Sequence, residues 1–218
     1  GEAGGRRERV RAGGRRVAVV VGGALGAASE GAALRGPKYE GERARGGVDG
    51  EHFERAAIGV GMPPSAVHGD IEAGLAKSAL RIEASYETPS QYHNAMEPHA
   101  LVAAWDGDRL TLDMPNQAPV LSAMGYAGFF GIAPENVLIR TPFIGGGFGS
   151  KAILAGPQIL CILAARMLNR PVKLVLTRAQ MFGPVGHRGQ TWQTLRMGME
   201  ADGRLIALSH HAIAETSS

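Results

Sequence analysis

Apolar and polar positions change period several times along the chain, and each change marks an element. Arg81-Ile82-Glu83-Ala84-Ser85-Tyr86-Glu87-Thr88 alternates, which predicts a half-buried strand ended by Pro89. Just before it, residues 71–79 suit a short helix with Asp70 as its N-cap. Residues 101–105 and 109–112 flank Asp106-Gly107-Asp108, the strongest hairpin signal in the chain. A mostly apolar helix follows over 119–130, and Pro134 turns the chain into a strand over 136–139. Pro157 stands at the first turn of a buried helix over 158–168, which Asn169 is suited to end. Residues 171–176 read as a strand, and Thr177 as the cap of a short helix reaching Met181. Asp202-Gly203 joins strands over 191–199 and 205–213 into a second hairpin. Helices, strands and hairpins are mixed, so the predicted class is α+β, a mixed α/β chain with hairpins.

The opening part differs. Residues 16–21 predict a short buried strand and 24–34 an Ala/Gly-rich helix weakened by Gly26 and Gly31. From 36 to 64 the pattern decays into Gly, Arg and Glu, as in a loop or linker. Fifteen of the 32 glycines lie in the first 60 residues, which places a domain boundary near residue 65 and divides the chain into 1–64 and 65–218.

Composition narrows the function classes. The chain has 218 residues, 44% of them hydrophobic, and a net charge of +3 from 23 basic and 20 acidic side chains. No dense basic tract interleaves with aromatics, so a nucleic-acid partner is not expected. No apolar run approaches the roughly 20 residues of a membrane span. The single cysteine, Cys161, cannot form an internal disulfide, supply a Cys₄ zinc site or hold an iron–sulfur cluster alone. A reducing, cytoplasmic setting follows, or the periplasm if a partner subunit carries the chain there. The chain begins with Gly1, its first residues lack the apolar core of a signal peptide, and it ends just after a strand, so both ends read as cut.

Two constellations could carry chemistry. Gly145-Gly146-Gly147-Phe148-Gly149-Ser150-Lys151 follows a strand and precedes a helix. Residues without Cβ let backbone N–H groups approach an anion or an oxo ligand closely, although the same run could only reverse the chain. It is not a P-loop, because Ser150 precedes Lys151 and Ala152 follows, and Ser150 stands where a dinucleotide fingerprint needs Gly. His93-Asn94-Ala95-Met96-Glu97-Pro98-His99 holds two histidines and a glutamate, but Pro98 breaks the helix a metalloprotease arrangement needs. The alternative is an irregular turn in which Glu97 and His99 bond backbone groups. Gln117, between a strand and a helix, offers a neutral amide that can bond a ligand oxygen or cap the helix. His210 and His211 point to opposite faces of a strand and do not chelate one ion. Cys161 reads as a buried, inert thiol, and Trp192, Phe129, Phe130 and the methionines as core rather than cofactor contacts. No nucleophile elbow surrounds a serine.

Taken together, YETPSQYHNAMEPHALVAAWDGDRL at 86–110, the Gln117 turn, VLIRTPFIGGGFGSK at 137–151 and NRPVKLVLTRAQMF at 169–182 resemble one family. It is the molybdenum-binding large subunit of the xanthine dehydrogenase and aldehyde oxidase enzymes, with the bacterial aldehyde-oxidising branch nearest in wording at Glu97-Pro98-His99 and Gly186-His187-Arg188. The resemblance implies a molybdenum–molybdopterin cofactor, in some members a cytosine dinucleotide, and oxidative hydroxylation with water as the oxygen source. It implies iron–sulfur and FAD partner subunits or domains. Gln117 matches the glutamine that bonds the apical oxo ligand, and Gly146, Gly147, Phe148 and Gly149 match the backbone segment that approaches the molybdenum and pterin. Purine-oxidising members carry Glu where this chain has Ala152, so aldehydes or N-heterocycles fit better than xanthine. The family's general-base glutamate belongs to a later Gly-rich motif, which this chain does not reach, so no catalytic base is expected here and the fragment alone is expected to be inactive. Residues 10–39 faintly resemble the end of the preceding hammerhead-like domain, a pattern that 41–60 does not continue, so 1–64 reads as a degenerate remnant of that domain plus a linker and 65–218 as the first part of the molybdopterin-binding domain. A non-catalytic binding module, or an inactive fragment with a Gly-rich anion-binding turn, is the alternative reading.

Overall fold

A computed structural model describes residues 19–35, 63, 65–152 and 154–215. The chain forms two compact units: Gly1–Arg43 with Tyr92–His187, and Ala44–Gln91 with Arg188–Ser218. Most of the linker expected over 36–64, and with it the boundary near 65, lies outside the described residues.

The first unit is built on a four-stranded sheet backed by two helices. Its helix α1 (Leu25–Ala33) forms despite Gly26 and Gly31, but buries none of its residues. Of the strand expected over 16–21, residues 16–18 lie outside the described residues; Val19 to Val21 carry no strand, and Val19 and Val21 are exposed. That expectation is corrected: three consecutive valines favour extended backbone, yet without a neighbouring strand to pair with they form none.

The hairpin is present as β1 (Ala100–Asp106) and β2 (Arg109–Asp113), with Asp106 opposite Arg109 and Gly107 at φ 56 in the two-residue turn. Then come helix α2 (Pro119–Phe130), β3 (Val137–Arg140), helix α3 (Gly156–Leu168) and β4 (Val172–Val175). The sheet order is β3-β2-β1-β4, with β2 and β3 parallel and the other pairs antiparallel. Leu101, Ala103, Leu110 and Leu112 from the sheet, Tyr126 and Ala127 from α2, and Cys161, Ile162 and Ala165 from α3 form the core. Its polar atoms are paired: Trp105 Nε1 donates to Ile162 O at 3.0 Å, and Tyr126 Oη to Gln158 Oε1 at 3.0 Å. Burial pushes the Cys161 thiol up to about 11, which leaves it protonated and unreactive.

This topology gathers four connections at one end of the sheet. Parallel β2 and β3 both deliver their C-terminal ends there, antiparallel β1 begins there, and β4 ends there beside Ala100. The segments 93–99, 114–118, 141–151 and 176–178 therefore meet, which is where open α/β sheets hold ligands.

The second unit pairs β5, β6 and β7 with one helix. Helix α4, the seven residues Ile71–Lys77, is capped by Asp70 Oδ1, which accepts from Ala73 N at 3.1 Å. Strand β5 (Leu80–Thr88) pairs with β6 (Thr191–Met199), and β6 with β7 (Leu205–Ala214), all antiparallel. The half-buried face expected of residues 81–88 is not found, because β5 is an edge strand and most of its residues are exposed. The short helix expected after Thr177 is a 3-10 helix, Ala179–Phe182, with Thr177 Oγ1 accepting from Gln180 N and Gln180 Oε1 accepting from Thr177 N. One other expectation changes in part. Phe129, Met96, Met124 and Met167 are exposed, whereas Phe130 packs on the core and Met114 and Met181 are buried. Helix α2 is apolar around its whole circumference, so periodicity could not say which face turns inward.

No helix among the described residues is long and apolar enough to cross a membrane. Ile162 is fully buried in the first unit's core. Ile162→Ala should lower unfolding free energy by about 2–5 kcal/mol, measured by urea denaturation followed through core fluorescence.

Candidate functional site

The glycine run folds as an open loop pressed against the 93–97 segment. Alternate residues of that segment each meet a glycine. A Cβ on Gly145 would lie 2.5 Å from Glu97 Cβ, one on Gly146 3.5 Å from Ala95 Cβ, and one on Gly149 3.7 Å from His93 Nε2. Gly146 and Gly149 also take left-handed backbone, at φ 88 and φ 100. Between them Phe148 sits at φ 53 with its ring exposed, an unfavourable conformation for a residue with a Cβ, held by the bonds on either side.

Those bonds start with charge. Lys151 is fully buried, and its Nζ donates to Glu97 Oε2 at 2.6 Å and to Glu97 O at 3.0 Å. Gly145 N donates to the same carboxylate oxygen at 2.8 Å, and Glu97 N returns a bond to Gly145 O at 3.0 Å. Burial pushes the Glu97 pKa up, but the Lys151 bond, the Gly145 N–H and the Lys151 charge outweigh it and hold the carboxyl below its ordinary value. Its proton affinity and its partners make Glu97 a clamp and not a general base. His99, also buried, donates from Nε2 to Ser150 O at 3.0 Å, and burial first, with Lys151's charge, lowers its pKa. Glu97 and His99 thus bond backbone groups. Among the described residues no group of three His, Cys, Asp or Glu could hold a metal ion. His210, on β7 in the other unit, bonds Gln193 Oε1 at 2.9 Å.

Gln117 does not cap α2. The N-cap is Ala118, which has no side-chain cap; buried Asn116 braces the turn before it, its Oδ1 accepting from Ala118 N at 2.8 Å and its Nδ2 donating to Ser122 Oγ at 2.9 Å. Gln117 instead docks on the glycine loop. Its N–H donates to Lys151 O at 3.0 Å, and its Oε1 accepts from Gly149 N at 3.0 Å and Lys151 N at 3.2 Å. With the carbonyl oxygen occupied twice, the exposed carboxamide keeps its two N–H donors for something else. Gly147 lies so close that any Cβ there would overlap the Gln117 amide. Gly149 N–H is spent on Gln117, whereas the N–H groups of Gly146, Gly147 and Phe148 have no partner among the described residues.

Sequence reasoning set aside Lys151 and missed Arg178. Arg178 donates to Ala95 O at 2.7 Å and Met96 O at 2.6 Å, and so holds the turn next to the loop. A lysine directly after a Gly-rich run was a visible signal once the P-loop was rejected. Arg178 left none, because its partners lie more than 80 residues away.

Comparison with known proteins gives the family. The profile of the molybdopterin cofactor-binding domain matches residues 58–218, more than half of the chain, and the chain belongs to that family, the molybdenum-binding part of the xanthine dehydrogenase and aldehyde oxidase enzymes. It is 42% identical over 144 residues to the aldehyde oxidoreductase molybdenum-binding subunit PaoC of Escherichia coli (strain K12), covering 66% of this chain and 20% of that protein. To aldehyde oxidase 4 of Arabidopsis thaliana it is 33% identical over 153 residues, covering 69% of this chain and 11% of that one. The solved structure of quinoline 2-oxidoreductase from Pseudomonas putida 86 matches with a TM-score of 0.60 and 28% identity, over 67% of this chain and 19% of that chain. The chain therefore spans a fifth or less of the length of these relatives. The α+β class is that of these enzymes.

Two outcomes test the site as a mechanical unit. Gly147→Ala should force Gln117 off the loop while the fold survives, so amide hydrogen exchange at Gly149 and Lys151 should accelerate by about tenfold or more. Glu97 and His99 both bind a proton more weakly folded than unfolded, so their stabilisation is complete above the unfolded pKa values and is lost as pH falls through the folded ones. Glu97→Gln should therefore destabilise more at neutral pH than at acid pH, where Glu97 of the parent chain is itself protonated; thermal midpoints across a pH series would show it.

Proposed function

We propose that this chain forms one wall of a molybdenum–molybdopterin site and that the protein carrying it oxidises aldehydes or N-heterocycles with water as the oxygen source. The observation that carries the reading is Gln117: its carbonyl oxygen is locked by two loop amides, so its amino group is presented beside an open loop with unpartnered N–H groups. Residues and group fit each other. An oxygen-bearing anionic ligand needs neutral donors at close range, and Gly147 keeps the space that a Cβ would fill.

When bound, the molybdenum cofactor supplies the redox chemistry. The chain's own contribution is positional. Gln117 and the N–H of Phe148 donate to the group, Gly146 and Gly147 let the backbone close on it, and Gly149 orients Gln117 with its N–H. Ala152 follows the loop lysine, where the purine-oxidising members of the family carry a glutamate, which supports aldehydes or N-heterocycles as substrates. PaoC is named for aldehydes and the Pseudomonas enzyme for quinoline, which supports the same classes. We take the pterin to be the cytosine dinucleotide form, in line with the bacterial wording of the motifs. With one buried cysteine the chain offers no cluster ligands of its own, so electrons leave through iron–sulfur and FAD subunits or domains, in the cytoplasm or in the periplasm with an exported partner. Residues 1–64 are then a degenerate remnant of a hammerhead-like domain plus a linker, and 65–218 the first part of the cofactor-binding domain.

The test uses the full subunit carrying this sequence, in its assembled enzyme. Molybdenum and pterin near one per subunit, with aldehyde-dependent reduction of an artificial electron acceptor, are expected; protein free of both and inactive on aldehydes and N-heterocycles overturns the reading. Gln117→Ala should cut turnover by about tenfold or more, through the lost donor.

A further inference from the structure

His93 is the one group at the loop that none of the interactions above explains. Its Nδ1 is sealed from solvent and has no hydrogen-bond partner. Its Nε2 is not enclosed in the same way, makes no bond among the described residues, and sits beside Gly149. The ring is held there deliberately in a structural sense. Asn94, the next residue, takes left-handed backbone at φ 43. Arg178 fixes that turn with bonds to Asn94 Oδ1 at 3.3 Å, Ala95 O at 2.7 Å and Met96 O at 2.6 Å. Asparagine takes this backbone readily, so the turn is cheap to form, and the three Arg178 bonds fix the direction in which it holds the imidazole, towards Gly149.

The sealed nitrogen decides the tautomer. A neutral imidazole has one N–H and one lone pair, and a buried N–H without an acceptor is the costlier of the two to leave unmade. The proton therefore resides on Nε2, the nitrogen that faces the open side of the loop. Gly149 matters here too. Its N–H points at Gln117, and its lack of a side chain leaves the space in front of His93 Nε2 clear.

We propose that His93 is a third donor of the cofactor site: Nε2–H gives a hydrogen bond to an oxygen of the molybdenum–pterin group that Gln117 and Phe148 also address. The inference rests on the function proposed above and adds a residue to it. His93 makes this contact directly, as a binding residue, and transfers no proton.

Three substitutions separate the donor from the ring. His93→Gln places an amide N–H near the position of Nε2, His93→Asn places one near the position of Nδ1, and His93→Phe keeps the ring without a donor. In the assembled enzyme, His93→Asn and His93→Phe should lose cofactor about tenfold faster on dilution, the size of one hydrogen bond, and shift the paramagnetic signal of half-reduced molybdenum. His93→Gln should stay within about threefold of the parent and leave the signal in place. A readout that needs no cofactor is the ¹⁵N spectrum of the histidine side chains of the 218-residue chain, which should show His93 as the Nε2–H tautomer. A protonated Nδ1 in that spectrum overturns the proposal. So do unchanged cofactor loss in His93→Asn and His93→Phe, or a His93→Gln enzyme of parental thermal midpoint that fares no better than they do. An assembled enzyme without molybdenum and pterin overturns the proposed function and this inference with it, whereas loss of the His93 effect alone leaves that function standing.

Discussion

A lysine ammonium removed from water must have an anion beside it, and in this chain that requirement fastens the whole ligand-facing end of the first unit. Lys151 has no exposed side-chain surface, so its charge would cost several kcal/mol if left unpaired. Glu97 meets it from 54 positions earlier in the chain, and the same carboxylate oxygen takes the Gly145 N–H at the other end of the glycine run. One carboxylate thus joins the first and last residues of the loop. Removing Glu97 would leave the Lys151 charge fully buried and unpaired, which is why the pair holds the loop more firmly than a surface ion pair such as Arg204 with Glu200 holds anything.

From that clamp the chemistry follows by exclusion of alternatives. A loop pinned at both ends presents its inner amides in fixed directions, and two of them, from Gly149 and Lys151, converge on one acceptor, the Gln117 carbonyl. A carboxamide is both donor and acceptor; once its acceptor end is taken twice, its donor end has a single direction left. Gln117 itself is held by three bonds to the loop, while its neighbour Asn116 braces the turn into the following helix through Ala118 N and Ser122 Oγ. The site is therefore preorganised by neutral groups, with its charged pair one layer behind the donors. That arrangement suits a ligand whose oxygens carry the charge and whose electronics must stay its own.

Much of the fold was legible. The two hairpins, the helix opened by Pro119, and the helix bounded by Pro157 and Asn169 stand where turn chemistry and capping put them, because those signals act within a few residues. The readings that failed were all about what lies opposite. Residues 81–88 alternate as a half-buried strand does, yet the edge position of the strand leaves them exposed. Phe129 reads as core, yet it lies on the outward side of a helix that is apolar on every side. The site was legible in its parts: the glycine run, Gln117, and Glu97 with His99 bonding backbone groups. The role of each part was not, since Arg178, His93 and Lys151 act on residues that no local pattern links to them.

By itself the sequence determined which stretches are helices, strands and turns, that the chain cannot carry its own iron–sulfur cluster, and, through the order of its motifs, which family it resembles. Those properties depend on neighbours a few positions apart, or on what residues are present at all. Only the tertiary structure decided that Glu97 clamps the buried Lys151, that Gln117 faces outward with its donors, and that His93 stands over Gly149. Each depends on four connections meeting at one end of a sheet whose parallel and antiparallel pairings bring them together. Contacts of that kind are set by topology, which joins residues that spacing along the chain keeps far apart.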